Sequence, residues 1–146
     1  MTTIDEPVGS PDYLAAVTGL GLGTMGEHMG LEITEASPQR LVGSIPVERN
    51  TQPYGLLHGG ASLALAETLG SFGSALHAGP GRIAVGIEIS ASHHRAAVRG
   101  RVTGVATPVH LGRTLCTWQV TISDDDGRDV CTARVTCLLR DAVPGG

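Results

Sequence analysis

An antiparallel β-sheet wrapped around one long central α-helix is the α+β architecture that the sequence predicts. Three observations carry it. The stretch Gly59 to His77 is apolar around nearly its whole circumference, which marks a buried helix. Runs with apolar residues at every second position precede and follow it and read as strands. The chain has 146 residues, room for one core and no second one. The expected organisation is a flexible N-terminal tail over residues 1–12, a single domain over 13–141 and a C-terminal tail over 142–146.

Met1 to Pro11 is polar and acidic, without a periodic apolar pattern that could dock it. Asp12 is placed to cap a short helix from Tyr13 to Leu20, after which Gly19, Gly21, Gly23 and Gly26 break any regular element. A short strand follows at Leu31 to Ala36, and Leu41, Gly43, Ile45 and Val47 share one face of a second. The central helix comes next, with Leu63, Leu65, Leu69, Phe72 and Leu76 set among small residues, Gly60, Ala61, Ser62, Ala64, Ala66, Gly70 and Gly73, that let strands approach its axis. Val85, Ile87, Ile89 and Ala91 read as one buried face of the next strand. The later runs are Val98 to Val109, Thr114 to Ser123 (Cys116, Trp118, Val120, Ile122 aligned) and Val130 to Arg140 (Cys131, Ala133, Val135, Cys137, Leu139 aligned). Asp124-Asp125-Asp126-Gly127 joins the last two as a hairpin turn.

Composition removes several classes of function. A net charge of −4, with ten Arg and no Lys, leaves no broad basic surface for nucleic acid, so an anionic ligand must be met by a few Arg or by helix N-termini. Cys116, Cys131 and Cys137 are odd in number and lack a CxxC pair, and the N-terminus is not signal-like. A reducing cytoplasm is therefore expected, without disulfides, a structural zinc site or any other metal. The apolar stretch Leu56 to Ala78 is interrupted by Glu67 and His77 and has no basic flank, so no membrane span is expected.

Glu67 is the only acidic residue of the apolar helix. Burying an unpartnered carboxylate costs several kcal/mol, about the range for such groups. Either a nearby hydroxyl or amide satisfies it structurally, or it serves as a general base or nucleophile favoured by desolvation. Gln52-Pro53-Tyr54-Gly55-Leu56-Leu57-His58-Gly59-Gly60 leads straight into that helix. Unpaired N–H groups and the positive end of the macrodipole there make a carbonyl or oxyanion site, and Gly59 has no side chain to keep a ligand from its N–H. His58 is either part of that site or a residue capping the turn.

Gln52-Pro-x-Gly-x-Leu-His58-Gly59-Gly60-Ala61, with Glu67 and then Ser71 one turn later, resembles the hotdog acyl-CoA thioesterases of the PaaI and Arthrobacter-type 4-hydroxybenzoyl-CoA thioesterase group. The resemblance covers about residues 27 to 140 and extends to Val85-Gly86-Ile87-Glu88-Ile89, His93-His94-Arg95 and Gly112-Arg113-Thr114. It implies the hotdog fold and hydrolysis of an aromatic or medium-chain acyl-CoA, with no cofactor, since coenzyme A belongs to the substrate. It further implies that Gly59 N–H polarises the thioester carbonyl with help from Gln52, that Glu67 attacks it or activates water, and that His58 positions the loop. Ser71 stands where the family orients the water, unless it is a small packing residue. His93 matches a position near the CoA thiol arm, unless it belongs to a solvated strand end, and Arg95 and Arg113 are candidate phosphate contacts.

Distance adds an expectation of its own. Gly59 and Glu67 are eight residues apart on one helix, about 12 Å along its axis. One thioester carbonyl does not readily meet both within a chain, so a homodimer with two shared sites is expected, and the resemblance implies its assembly as a homotetramer, a dimer of dimers.

Rival classes fit less well. Gly60-Ala61-Ser62-Leu63-Ala64 after His58 echoes the nucleophile elbow of α/β-hydrolases, but that fold needs many more residues and a strand-to-helix corner for its Ser. A hotdog hydratase or dehydratase is the other enzymatic alternative, but the His-Phe-Pro-Gly pattern of the dehydratases is missing here. A non-catalytic acyl-CoA-binding module would have no need of Glu67.

Overall fold

The computed structural model describes Ala15, Gly19 and residues 21–143. The expected N-terminal tail and, but for those two residues, the helix Tyr13 to Leu20 lie outside the described residues, as does the C-terminal tail beyond 143. The first element is α1, Gly23–Met29, then β1 (Glu32–Ser37), β2 (Arg40–Pro46), a 3-10 turn (Glu48–Asn50), α2 (Gly59–Ala78), β3 (Arg82–His93), β4 (Arg101–Leu111), β5 (Leu115–Asp124) and β6 (Asp129–Asp141). The six strands form one antiparallel sheet in the order β1-β2-β4-β5-β6-β3, curled around α2. This is the hotdog arrangement.

Helix α1 corrects the expectation that the glycine run breaks all regular structure. Gly26 is buried, and a β-carbon there would stand 3.1 Å from Leu22 Cβ and 3.5 Å from a Leu31 methyl, so glycine permits the helix to lie close to the chain that follows. Gly30 ends it in the left-handed region at φ 71°, with the Gly30 and Leu31 N–H groups donating to Glu27 and Gly26 carbonyls.

The expected alternation holds in β2, β5 and β6. Leu41, Ile45, Cys116, Trp118, Val120, Ile122, Cys131, Val135 and Cys137 are fully buried against the helix. The hairpin turn is also as expected: the Asp124 carboxylate accepts from the Asp126 and Arg128 N–H groups at 3.0 Å each. The Arg128 backbone bond is the main influence holding the Asp124 carboxyl below the usual carboxylate range.

Strand β3 departs from the expected pattern. A bulge between Gly86 and Glu88 shifts its phase, so Ala84, Ile89 and Ala91 pack toward the core while Val85 and Ile87 are exposed. Strand β4 starts at Arg101 rather than Val98 because Gly100 turns at φ 70°. Helix α2 is covered on one side only: Leu65, Ala66, Leu69, Gly70, Gly73 and Leu76 are buried, whereas Gly60 and Glu67 are exposed. Among the described residues, no helix is long and apolar enough to cross a membrane.

Gly73 of α2 packs on the ring of Trp118, leaving no room for a β-carbon, and the Trp118 Nε1–H donates to Ser74 Oγ at 2.9 Å. Gly73→Ala gains roughly 1 kcal/mol of helix propensity, but its methyl would collide with a fully buried, hydrogen-bonded indole. Such overpacking costs about 1–3 kcal/mol or more. The variant is expected to unfold at lower urea concentration than wild type; an unchanged or raised midpoint would show that the ring yields freely.

Candidate active site

The segment before α2 is a small closed loop. Asn50 anchors its base: Nδ2 donates to the Met29 and Pro46 carbonyls at 2.8 Å each, and the Asn50 carbonyl accepts from His58 N–H at 2.8 Å. Thr51 and Leu57 pair across the loop, and Gln52 N–H donates to the Leu56 carbonyl. Gly55 turns the tip at φ 80°, a conformation that a side chain would strain. The Gln52 carboxamide oxygen accepts from Tyr54 N–H, which directs its NH2 group to other partners.

The helix start distributes its N–H groups selectively. His58 is the N-cap, with Nδ1 accepting from Gly60 N–H at 2.8 Å, so in the neutral ring the proton sits on Nε2. Ala61 N–H donates to the His58 carbonyl at 2.9 Å. Gly59 N–H has no hydrogen-bond partner among the described residues. One donor is thereby left at the positive end of a 20-residue helix. His58 thus caps the turn, and by capping it fixes which amide remains available.

That amide borders a cavity of about 430 Å³ whose lining includes Gln52, Leu57, Gly59, Ser62, His93 and Arg95. The His93 ring closes on the helix start, its Nε2 being 3.0 Å from where a β-carbon on Gly59 would stand. A second groove, about 560 Å³, runs between α2 and the free edge of β3, lined by Ser71, Phe72, Ala75, Arg82, Ile83 and Val85 among others. Glu67 projects between them along α2. Its Oε1 lies 2.7 Å from the β-carbon position of Gly86, so any side chain at Gly86 would displace the carboxylate. Glu67 makes no ion pair with the described residues.

The cysteines are free and buried, and burial pushes the Cys116 and Cys131 thiols up, which removes them as nucleophiles. Among the described residues, no group of three or more His, Cys, Asp or Glu is arranged to hold a metal ion.

Residues 54–131 match the family model described as "Thioesterase superfamily". The chain belongs to the thioesterase superfamily. It is 49% identical over 127 residues to a protein of Cronobacter turicensis named proofreading thioesterase EntH, covering 86% of this chain and 93% of that one. The crystal structure of a glutamine-to-alanine mutant of a Pseudomonas aeruginosa thioesterase superposes with a TM-score of 0.82 at 37% identity, over 95% of this chain and 97% of that one. A Staphylococcus aureus thioesterase, crystallised with a glutamine replaced by alanine, gives a TM-score of 0.77 at 34% identity, over 80% of this chain and 98% of that one. The same S. aureus protein was also crystallised with a glutamate replaced by alanine, fifteen positions after that glutamine.

In this thioesterase the fold gathers Gln52, Gly59, His93 and Arg95 around one cavity. Glu67 and Ser71 lie farther along α2, and Ser71 Oγ is 3.9 Å from Cys137 Sγ. Arg113 belongs to the β4–β5 turn at the other end of the helix, where His77 Nε2 meets the Gly112 carbonyl at 2.9 Å and Arg82 donates to the Arg113 carbonyl at 2.9 Å. The expected burial of Glu67 is corrected: within one chain it is exposed, because the sheet leaves that side of α2 open. The sequence reading gave no site role to Ser62, although the i, i+3 spacing from Gly59 already places both on one side of the helix.

Proposed function

We propose that this thioesterase hydrolyses an aromatic or medium-chain acyl-CoA to the free acid and CoA, in sites built from two chains, without a cofactor. The observation that carries the reading is the unpartnered Gly59 N–H at the mouth of a cavity beside Gln52. Gly59 N–H and the Gln52 NH2 group draw charge onto the thioester oxygen. Glu67 of the second chain attacks the carbonyl carbon, or takes a proton from water that does. The C–S bond then breaks, the thiolate leaves as CoA and is protonated, and one water is consumed per acid released. Ser71, one turn beyond Glu67, orients that water. His93 lies along the path of the thiol arm, Arg95 meets phosphate at the mouth of the same cavity, and Arg113 meets phosphate from the far end of the fold.

Several features support this division of roles. The glutamine and glutamate replaced in the S. aureus structures have the fifteen-residue spacing of Gln52 and Glu67. The apolar groove of Phe72, Ala75, Ile83 and Val85 begins beside Ser71 and suits an acyl group of aromatic or medium-chain size. Strand β3 is an edge with Ile83, Val85 and Ile87 exposed, the kind of edge that natural sheets cover. Pairing it with a second copy would close the groove and bring the open side of one α2 toward the loop of the other. The dimers assemble in pairs as a homotetramer, and the reducing cytoplasm suits the free cysteines.

The test is a panel of aromatic and aliphatic acyl-CoAs read with a thiol-detecting reagent; release of thiol from none of them would overturn the reading. Protein donors supply the electrophilic help in this scheme, so a chelator is expected to leave the rate unchanged. Activity lost with chelator and restored by a divalent ion would reassign the roles of Gly59 and Gln52.

A further inference from the structure

Helix α2 carries four hydroxyl side chains, and three have partners. Thr68 Oγ1 donates back to the Ala64 carbonyl at 2.7 Å, Ser74 Oγ accepts from Trp118 at 2.9 Å, and Ser71 Oγ lies 3.9 Å from Cys137 Sγ. Ser62 is the exception. It is 2% exposed, makes no side-chain hydrogen bond with the described residues, and lines the cavity bordered by Gly59 and His93. A helical serine ordinarily bonds back to the carbonyl four residues earlier, as Thr68 does. No fully buried side-chain N or O atom among the described residues lacks a partner, so the Ser62 hydroxyl is not sealed off from solvent. Its small remaining exposure is to the cavity that it lines, where whatever fills that cavity can serve as its partner.

We propose that Ser62 is a further catalytic residue, whose O–H donates to the thioester oxygen beside Gly59 N–H. The inference rests on the reading of this cavity as the thioester site and adds a donor to it. Gly59 and Ser62 are three residues apart, so donor and amide face the cavity from one side of the helix's first turn. The hydroxyl does not act as a nucleophile: no histidine bonds it, and it sits within the helix rather than at a strand-to-helix corner. The carbonyl oxygen gains charge as the attack proceeds, so the bond strengthens toward the transition state and acts on kcat.

Ser62→Ala separates this role from a structural one, because the two predict opposite changes. A hydroxyl that holds the fold together would be missed by the fold, whereas removing one that faces the cavity and bonds no described residue leaves stability unchanged. The expected result is a melting temperature no lower than wild type. With it, kcat falls at least about tenfold on the best acyl-CoA of the panel, and KM stays within about threefold. Unchanged kcat in the folded variant, or a rise in KM alone, overturns the assignment. A lowered melting temperature with unchanged kcat returns Ser62 to the structural core. The wild type in the same assay keeps the two levels apart: an active wild type with an equally active variant sinks only the role of Ser62, and a wild type inert on the whole panel sinks both.

Discussion

Glu67→Gln is expected to fold as the wild type does and to lose at least about 10²-fold in kcat. The substitution keeps the volume and removes the negative charge, so it can neither attack a carbonyl nor accept a proton. Its expected stability follows from the environment of the side chain. Glu67 is exposed within the chain, makes no ion pair with the described residues, and lies against the sheet at Gly86, which leaves room for it. A glutamine fits the same space. The loss, if seen, therefore belongs to the chemical step, and a urea midpoint within error of wild type checks that condition. A folded Glu67→Gln protein with near-wild-type turnover would make Glu67 a structural residue and move the base elsewhere.

The sequence was most legible where one periodicity met one environment. In β5 and β6 every second residue, from Cys116 to Ile122 and from Cys131 to Leu139, is buried as predicted, with Thr117 and Val130 buried beside them. Strand β3 was less legible, because a bulge next to Gly86 changes the face of each residue after it and no local rule announces a bulge. Helix α1 was hidden by glycines whose role depends on tertiary contact: Gly26 is there to let Leu22 and Leu31 close in, which propensity alone reads as a break. At the site, Gln52, Gly59 and His58 could be read from a contiguous motif, whose loop and cap are local structures. The exposure of Glu67 could not, since an apolar circumference tells that a helix is covered but not whether its own chain or a second one covers it. Ser62 is hidden for a related reason: a serine among alanines on a helix reads as packing, and only the structure shows that its hydroxyl bonds no described residue and lines the cavity.

Mixed dimers of two inactive proteins are expected to recover activity. Gly59 and Glu67 remain eight residues apart on one unbroken helix, so about 12 Å separates their backbones along the axis. The cavity at Gly59 contains no part of Glu67, and the groove beyond Glu67 contains no part of the Gln52 loop. On the proposed shared-site reading each half-site is incomplete alone, and both border the open side of α2 or the unpaired edge of β3. Pairing two β3 edges about a two-fold axis makes both contacts twice, once in each of two identical sites. Prepared separately, Gln52→Ala and Glu67→Ala should each be inactive. Unfolded together in equal amounts and refolded, half of the dimers would be mixed by random pairing, and each mixed dimer would hold one site with both defects and one with neither. About a quarter of wild-type activity should therefore return. If the site lay within one chain, every chain would still carry a defect and nothing would return. Mass spectrometry of the refolded material, with one variant isotopically labelled, establishes that mixed dimers have formed. Confirmed mixed dimers without activity would end the shared-site mechanism and require Glu67 and Gly59 to act on one substrate from the same helix.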